Sequence, residues 1–101
     1  MTSDILNIVN SDPVVFFSKH ECPYCDMLEA DLEAMHVPFK KVILDNNIRD
    51  ALLDLTKCKT VPQLFIGGVF KGGYKEFTAL CGTGKLESLL EPFGIKIDLD
   101  F

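Results

Sequence analysis

The chain has 101 residues, 48% of them apolar and 25% charged, with a formal net charge of −5. That length suits one domain and is too short for two, so residues 1–101 are expected to form a single unit. The acidic balance argues against a nucleic-acid partner, and no run approaches the roughly 18 to 20 apolar residues that span a bilayer.

Ser3 is expected to cap a short helix over residues 4–10, with Ile5, Leu6, Ile8 and Val9 as its apolar stripe. Ser11-Asp12-Pro13 makes a turn. Val14-Val15-Phe16-Phe17, an unbroken run of β-branched then aromatic residues, predicts a buried strand. Cys22-Pro23-Tyr24-Cys25 follows directly. From Pro23 to about Met35 the period becomes helical, with Cys25, Leu28, Leu32 and Met35 on one face. Pro23 suits the first helical turn.

Val37-Pro38 ends that helix, and Phe39 to Leu44 is expected as a second strand. Strand, helix and strand in this order imply a parallel pair. Residues 48–57 carry another amphipathic helix through Ile48, Leu52 and Leu55. Leu64-Phe65-Ile66, Gly67-Gly68 and Val69-Phe70-Lys71 spell a hairpin with a two-residue glycine loop. Gly72-Gly73 opens a helix over about 74–81 that Gly82 closes. Thr83 is expected to cap a last helix over 85–91, stopped by Pro92 and Gly94. The alternating tail, residues 95–101, is expected to fray or pack loosely.

Charge is uneven along the chain. Between Thr56 and Leu86, Lys57, Lys59, Lys71, Lys75 and Lys85 stand against the single acid Glu76. Such a basic third suits a small anion, with scattered solvated lysines as the alternative. Met1-Thr2-Ser3-Asp4 has neither a basic segment nor a secretory cleavage site, so a cytoplasmic protein with free thiols is expected.

In that setting a C-x-x-C between a strand and a helix is a redox motif. Zinc needs two more ligands at short spacing, and His20, His36, Cys58 and Cys81 supply no second pair, so no metal is expected. Cys22 stands at a helix N-terminus, where unpaired N–H groups and the helix dipole favour a thiolate, and Lys19 adds a positive charge. Cys25, on the inner face, is the thiol that resolves a mixed disulfide. Lowering a thiol pKa from about 8.5 to about 5 raises its thiolate fraction at pH 7 roughly 30-fold. Intrinsic nucleophilicity falls by about the same factor. Attack is near break-even, and the gain lies in Cys22 as a leaving group. Cys58 and Cys81 are expected to be buried and inert, with oxidation or glutathionylation as the alternative.

With Cys22-Pro23-Tyr24-Cys25, Thr60-Val61-Pro62 and Gly72-Gly73 in this order, residues 4–91 resemble a dithiol glutaredoxin of the CPYC type. The resemblance implies an α/β, thioredoxin-like fold: a four-stranded mixed sheet flanked by helices, with Pro62 cis. It further implies glutathione as co-substrate, bound at Thr60, Val61 and Pro62, with the Val61 backbone pairing with its cysteinyl part. Lys19 and Lys59 would face its glycyl carboxylate, and Tyr24 would shape the groove. Gly73, Tyr74 and Lys75 would meet the γ-glutamyl end, with Glu76 near its amino group. The implied activity is reduction of protein disulfides and glutathione mixed disulfides by a monomer with protein clients. Two alternatives stand beside it. A glutathione-ligated iron–sulfur carrier is disfavoured by Pro23 beside Cys22. Thioredoxin-type reduction is disfavoured by the absence of tryptophan and by the glycine pair.

Overall fold

A computed structural model of the protein describes residues 2–97. The elements are α1 (Thr2–Val9), β1 (Val14–Ser18), α2 (Pro23–Ala34), β2 (Lys40–Ile43), α3 (Asn46–Thr56), β3 (Gln63–Ile66), β4 (Val69–Gly72), α4 (Tyr74–Gly82) and α5 (Lys85–Leu90). A short 3₁₀ turn, Glu91–Phe93, closes the series.

The strands form one sheet in the order β2-β1-β3-β4. The β1–β2 pair is parallel, and β1–β3 and β3–β4 are antiparallel. This is the four-stranded mixed sheet of the thioredoxin-like fold. The unbroken apolar run of β1 follows from burial on both faces, since successive side chains point opposite ways. Val14 and Phe16 join Leu64 and Ile66 against Leu28, Leu32, Phe77, Leu86 and Leu90. Val15 and Phe17 join Phe65 against Ile5, Val9, Ala51 and Leu52 on the other face. One layer of helices, α2, α4 and α5, therefore covers one side of the sheet, and α1 with α3 covers the other.

Strand β2 is shorter than the expected Phe39–Leu44. Its edge position leaves Lys40 and Lys41 exposed, which blunts pairing with another chain. Lys41 instead forms an ion pair with Glu29 of α2 at 2.9 Å. Phe39 still packs on Phe16, with ring centroids 5.5 Å apart. The hairpin matches its sequence signal: Gly67 and Gly68 have φ of 60° and 81°, the left-handed pair that a two-residue turn requires.

Several boundaries differ from expectation. Helix α1 begins at Thr2, so Ser3 lies inside it and not ahead of it; its side chain is outside the described residues. Gly82 lies within α4, whose C-cap is Thr83. The Thr83 hydroxyl donates back to the Ala79 carbonyl at 3.0 Å and so finishes α4 instead of starting α5. Gly84, at φ 75°, turns the chain between the two helices. Ile95 and Ile97, each half-buried, pack against the α2–α4 side of the core. Residues 98–101 lie outside the described range.

Candidate functional site

Leaving β1, the chain turns through Lys19 to Glu21 and enters α2 with Cys22 as N-cap and Pro23 in the first turn. The N–H of Cys25 donates to Cys22 Sγ at 3.2 Å. This aims a first-turn donor at the sulfur, the arrangement that stabilises negative charge there. Cys22 and Cys25 form a disulfide with Cα atoms 5.2 Å apart. Cys22 is 5% exposed and Cys25 1%, so only the first sulfur borders solvent.

The loop between α3 and β3 meets Cys22 from the other side. The Val61 carbonyl oxygen lies 3.9 Å from Cys22 Sγ. The Val61–Pro62 peptide is cis, as the resemblance implies. Lys19, Cys22, Tyr24, Lys59, Thr60 and Val61 share a cavity of about 520 Å³. Glu21, Leu44 and Arg49 also line it. Sequence reading missed these three; Arg49 in particular adds a cation from α3, and only the register of that helix against the loop reveals it.

A second cavity, of about 420 Å³, adjoins the first across Tyr24, Thr60 and Val61. Its far wall is Gly73, Tyr74, Lys75 and Glu76 at the start of α4. The residues expected to bind glutathione thus border two neighbouring hollows, the larger of which Cys22 lines. Glu76 Oε1 accepts from the Gly73 N–H at 2.7 Å. Gly72, at φ 92°, makes this possible, because a Cβ there would lie 2.6 Å from Glu76 Cγ. The N–H groups of Tyr74 and Lys75, in the first turn, have no intrahelical acceptor and face the cavity end of the helix.

Tyr74 ties this end to α2. Its hydroxyl donates to Asp31 Oδ2 at 2.7 Å. Its ring packs in tilted contact with those of Tyr24 and Phe77, each with centroids 6.1 Å away. The hydrogen bond to the Asp31 carboxylate, then burial, holds the Tyr74 phenol above its ordinary value of 10.0. A raised pKa means that the folded state favours the protonated phenol. The stabilisation is complete below about pH 10 and is lost as pH rises through the folded value. Tyr74→Phe should cost about 1 kcal/mol in urea unfolding at pH 7, and the gap from wild type should close above pH 10. A gap unchanged at high pH would contradict this role.

Among the described residues, no three His, Cys, Asp or Glu side chains gather as a metal site. Cys58 is half-buried, with Sγ 3.4 Å from Thr60 Oγ1. Cys81 is exposed, contrary to the expected core position, near the end of α4. Partial burial of its thiol and the nearby Asp31 carboxylate push its pKa up. That disfavours the thiolate and leaves Cys81 a poor nucleophile.

A glutaredoxin family model matches residues 14–71. Glutaredoxin-C2 of Arabidopsis thaliana is 41% identical over 92 residues, which is 86% of this chain and 83% of that protein. The crystal structure of a buckwheat glutaredoxin–glutathione complex superposes with a TM-score of 0.85 at 33% identity, covering 92% of this chain and 89% of that one. Oxidised glutaredoxin 2 from Chlamydomonas reinhardtii gives a TM-score of 0.79 at 35% identity, covering 92% of each chain.

Proposed function

Because the chain belongs to the glutaredoxin family and is a glutathione-dependent thiol oxidoreductase, we propose that Cys22 is its nucleophile and Cys25 its resolving thiol. The observation that carries this reading is the unequal setting of the two sulfurs. Cys22 Sγ receives the Cys25 N–H in the wall of the larger cavity, and Cys25 is the more buried of the two. On a glutathionylated client, the Cys22 thiolate attacks the glutathione sulfur and the client thiolate leaves. A second glutathione thiolate then attacks the glutathione sulfur of the adduct. Glutathione disulfide departs with one S–S bond, and Cys22 returns as a thiolate. On a client disulfide, Cys22 forms the mixed disulfide, and the Cys25 thiolate attacks Cys22 Sγ to expel the client thiolate. Two glutathione molecules then reduce the Cys22–Cys25 bond.

Glutathione, with which a buckwheat glutaredoxin forms a complex, lies in the paired hollows with its cysteinyl part along the backbone of Thr60, Val61 and Pro62. Lys19 and Lys59 face the glycyl carboxylate, and Arg49 adds to the same charge. Tyr24 forms the common wall. At the far end, the free N–H groups of Tyr74 and Lys75 and the Lys75 ammonium take the γ-glutamyl carboxylate. Glu76 keeps one oxygen on Gly73 and turns the other toward the ammonium of the ligand. The described elements act as one glutaredoxin domain. The protein works as a cytoplasmic monomer on disulfide-bonded or glutathionylated clients, contributing electron transfer to cell redox balance.

Mass spectrometry of Cys25→Ser treated with glutathione disulfide tests the site. The expected product carries one glutathione on Cys22. An adduct confined to Cys58 or Cys81 would overturn the assignment.

A further inference from the structure

Gln63, the first residue of β3, is a polar side chain 2% exposed, buried with Ser18 in an otherwise apolar interior. Its Nε2 donates to two backbone carbonyls of the preceding loop, Cys58 at 2.8 Å and Thr60 at 3.0 Å. Its Oε1 lies 2.9 Å from Thr56 Oγ1, at the last residue of α3. The same hydroxyl accepts from the Cys58 N–H at 3.2 Å. Both amide hydrogens are therefore used, and two carbonyl acceptors on one side leave the flipped amide with no partners there. A buried amide satisfied in this way costs little to keep, but its loss strands two carbonyls.

The segment held by this clamp is the one that carries Lys59, Thr60 and Val61. Lys57, at φ 58°, ends α3 and releases the chain into a stretch without regular secondary structure. Without the clamp, the loop keeps the bond from the Cys58 N–H to Thr56 and the Cys58–Thr60 contact, but the carbonyls of Cys58 and Thr60 lose their shared donor. We infer that Gln63, oriented by Thr56, is a positioning residue that presets the Lys59–Val61 backbone for the thiol ligand while touching neither ligand nor Cys22. This inference rests on the reading that the Thr60–Val61 backbone binds glutathione. Its signature is selective: affinity falls because ordering the loop is transferred to the binding step, and the sulfur chemistry of Cys22, set by α2, is untouched.

The test compares wild type, Gln63→Leu, Thr56→Val and Thr56→Ser in glutathione-driven reduction of a glutathionylated peptide. Each is also assayed for the pH profile of Cys22 alkylation by iodoacetamide. Gln63→Leu and Thr56→Val should raise KM for glutathione about fivefold, with kcat and the alkylation profile unchanged. Thr56→Ser keeps the hydroxyl and should restore wild-type KM. If Gln63→Leu does not fold, the Thr56 pair decides. Unchanged KM in folded Gln63→Leu or Thr56→Val overturns the inference. So does a shifted alkylation profile, which would mean a general disturbance of the site. Failure of wild type itself to turn over with glutathione would instead refute the binding reading beneath it.

Discussion

Cys22→Ser should abolish reduction of both protein disulfides and glutathione mixed disulfides, whereas Cys25→Ser should lose the first and keep the second. The asymmetry follows from what each sulfur touches. Cys22 caps α2, borders the larger cavity and is the more exposed sulfur-bearing residue of the pair. Serine in its place has no thiolate to offer near neutral pH, so turnover falls to the uncatalysed background. Cys25 is 1% exposed and is bonded to Cys22. Its removal spares any cycle in which a second glutathione does the resolving. Parallel assays of insulin disulfide reduction and peptide deglutathionylation check both halves. Equal loss of both activities in Cys25→Ser would show that Cys25 does more than resolve.

The second large effect concerns charge. Lys19 and Lys59 line the cavity at Cys22 and make no ion pair with an acid among the described residues. An exposed pair with a ligand carboxylate is worth only about 0.2 to 1 kcal/mol. Reversing both charges replaces two attractions with two repulsions, however. Lys19→Glu with Lys59→Glu should raise KM for glutathione roughly 30-fold at low salt. Because the sites are solvent-exposed, the effect should shrink several-fold when the Debye length falls to about 3 Å at 1 M salt. Steady-state kinetics across a salt series measures it. A salt-independent rise would point to damaged packing in place of lost electrostatics.

The sequence made the central strand and the motif legible because both are local. Val14 to Phe17 is apolar without a break, as a strand buried on both faces must be, and Pro23 marks the helix start within the same stretch. The glycine turn at Gly67-Gly68 is likewise written in adjacent residues. What escaped depends on partners distant in sequence or on equal local options. Thr83 is an acceptable cap for the helix on either side, and the carbonyl of Ala79 decides which one it serves. Cys81 looks like a core residue, yet its place one residue from the end of α4 leaves it exposed. Arg49 reads as surface charge on an amphipathic helix, and its place at the cavity depends on how α3 packs beside the Lys59 loop. Gln63 follows Pro62 with no pattern to mark it, since the carbonyls it holds carry no side-chain signal. Glu76 was expected at the ligand's ammonium, yet one of its oxygens is committed to Gly73 by the close approach that Gly72 permits.

The choice of glutathione as electron donor is tested most directly by one comparison. Wild-type protein is given a glutathionylated peptide and recycled either by glutathione with its reductase or by a flavin-dependent thioredoxin reductase. Saturable turnover with glutathione, and none above background with the flavoenzyme, is the predicted result. Turnover sustained by the flavoenzyme and absent with glutathione would contradict it.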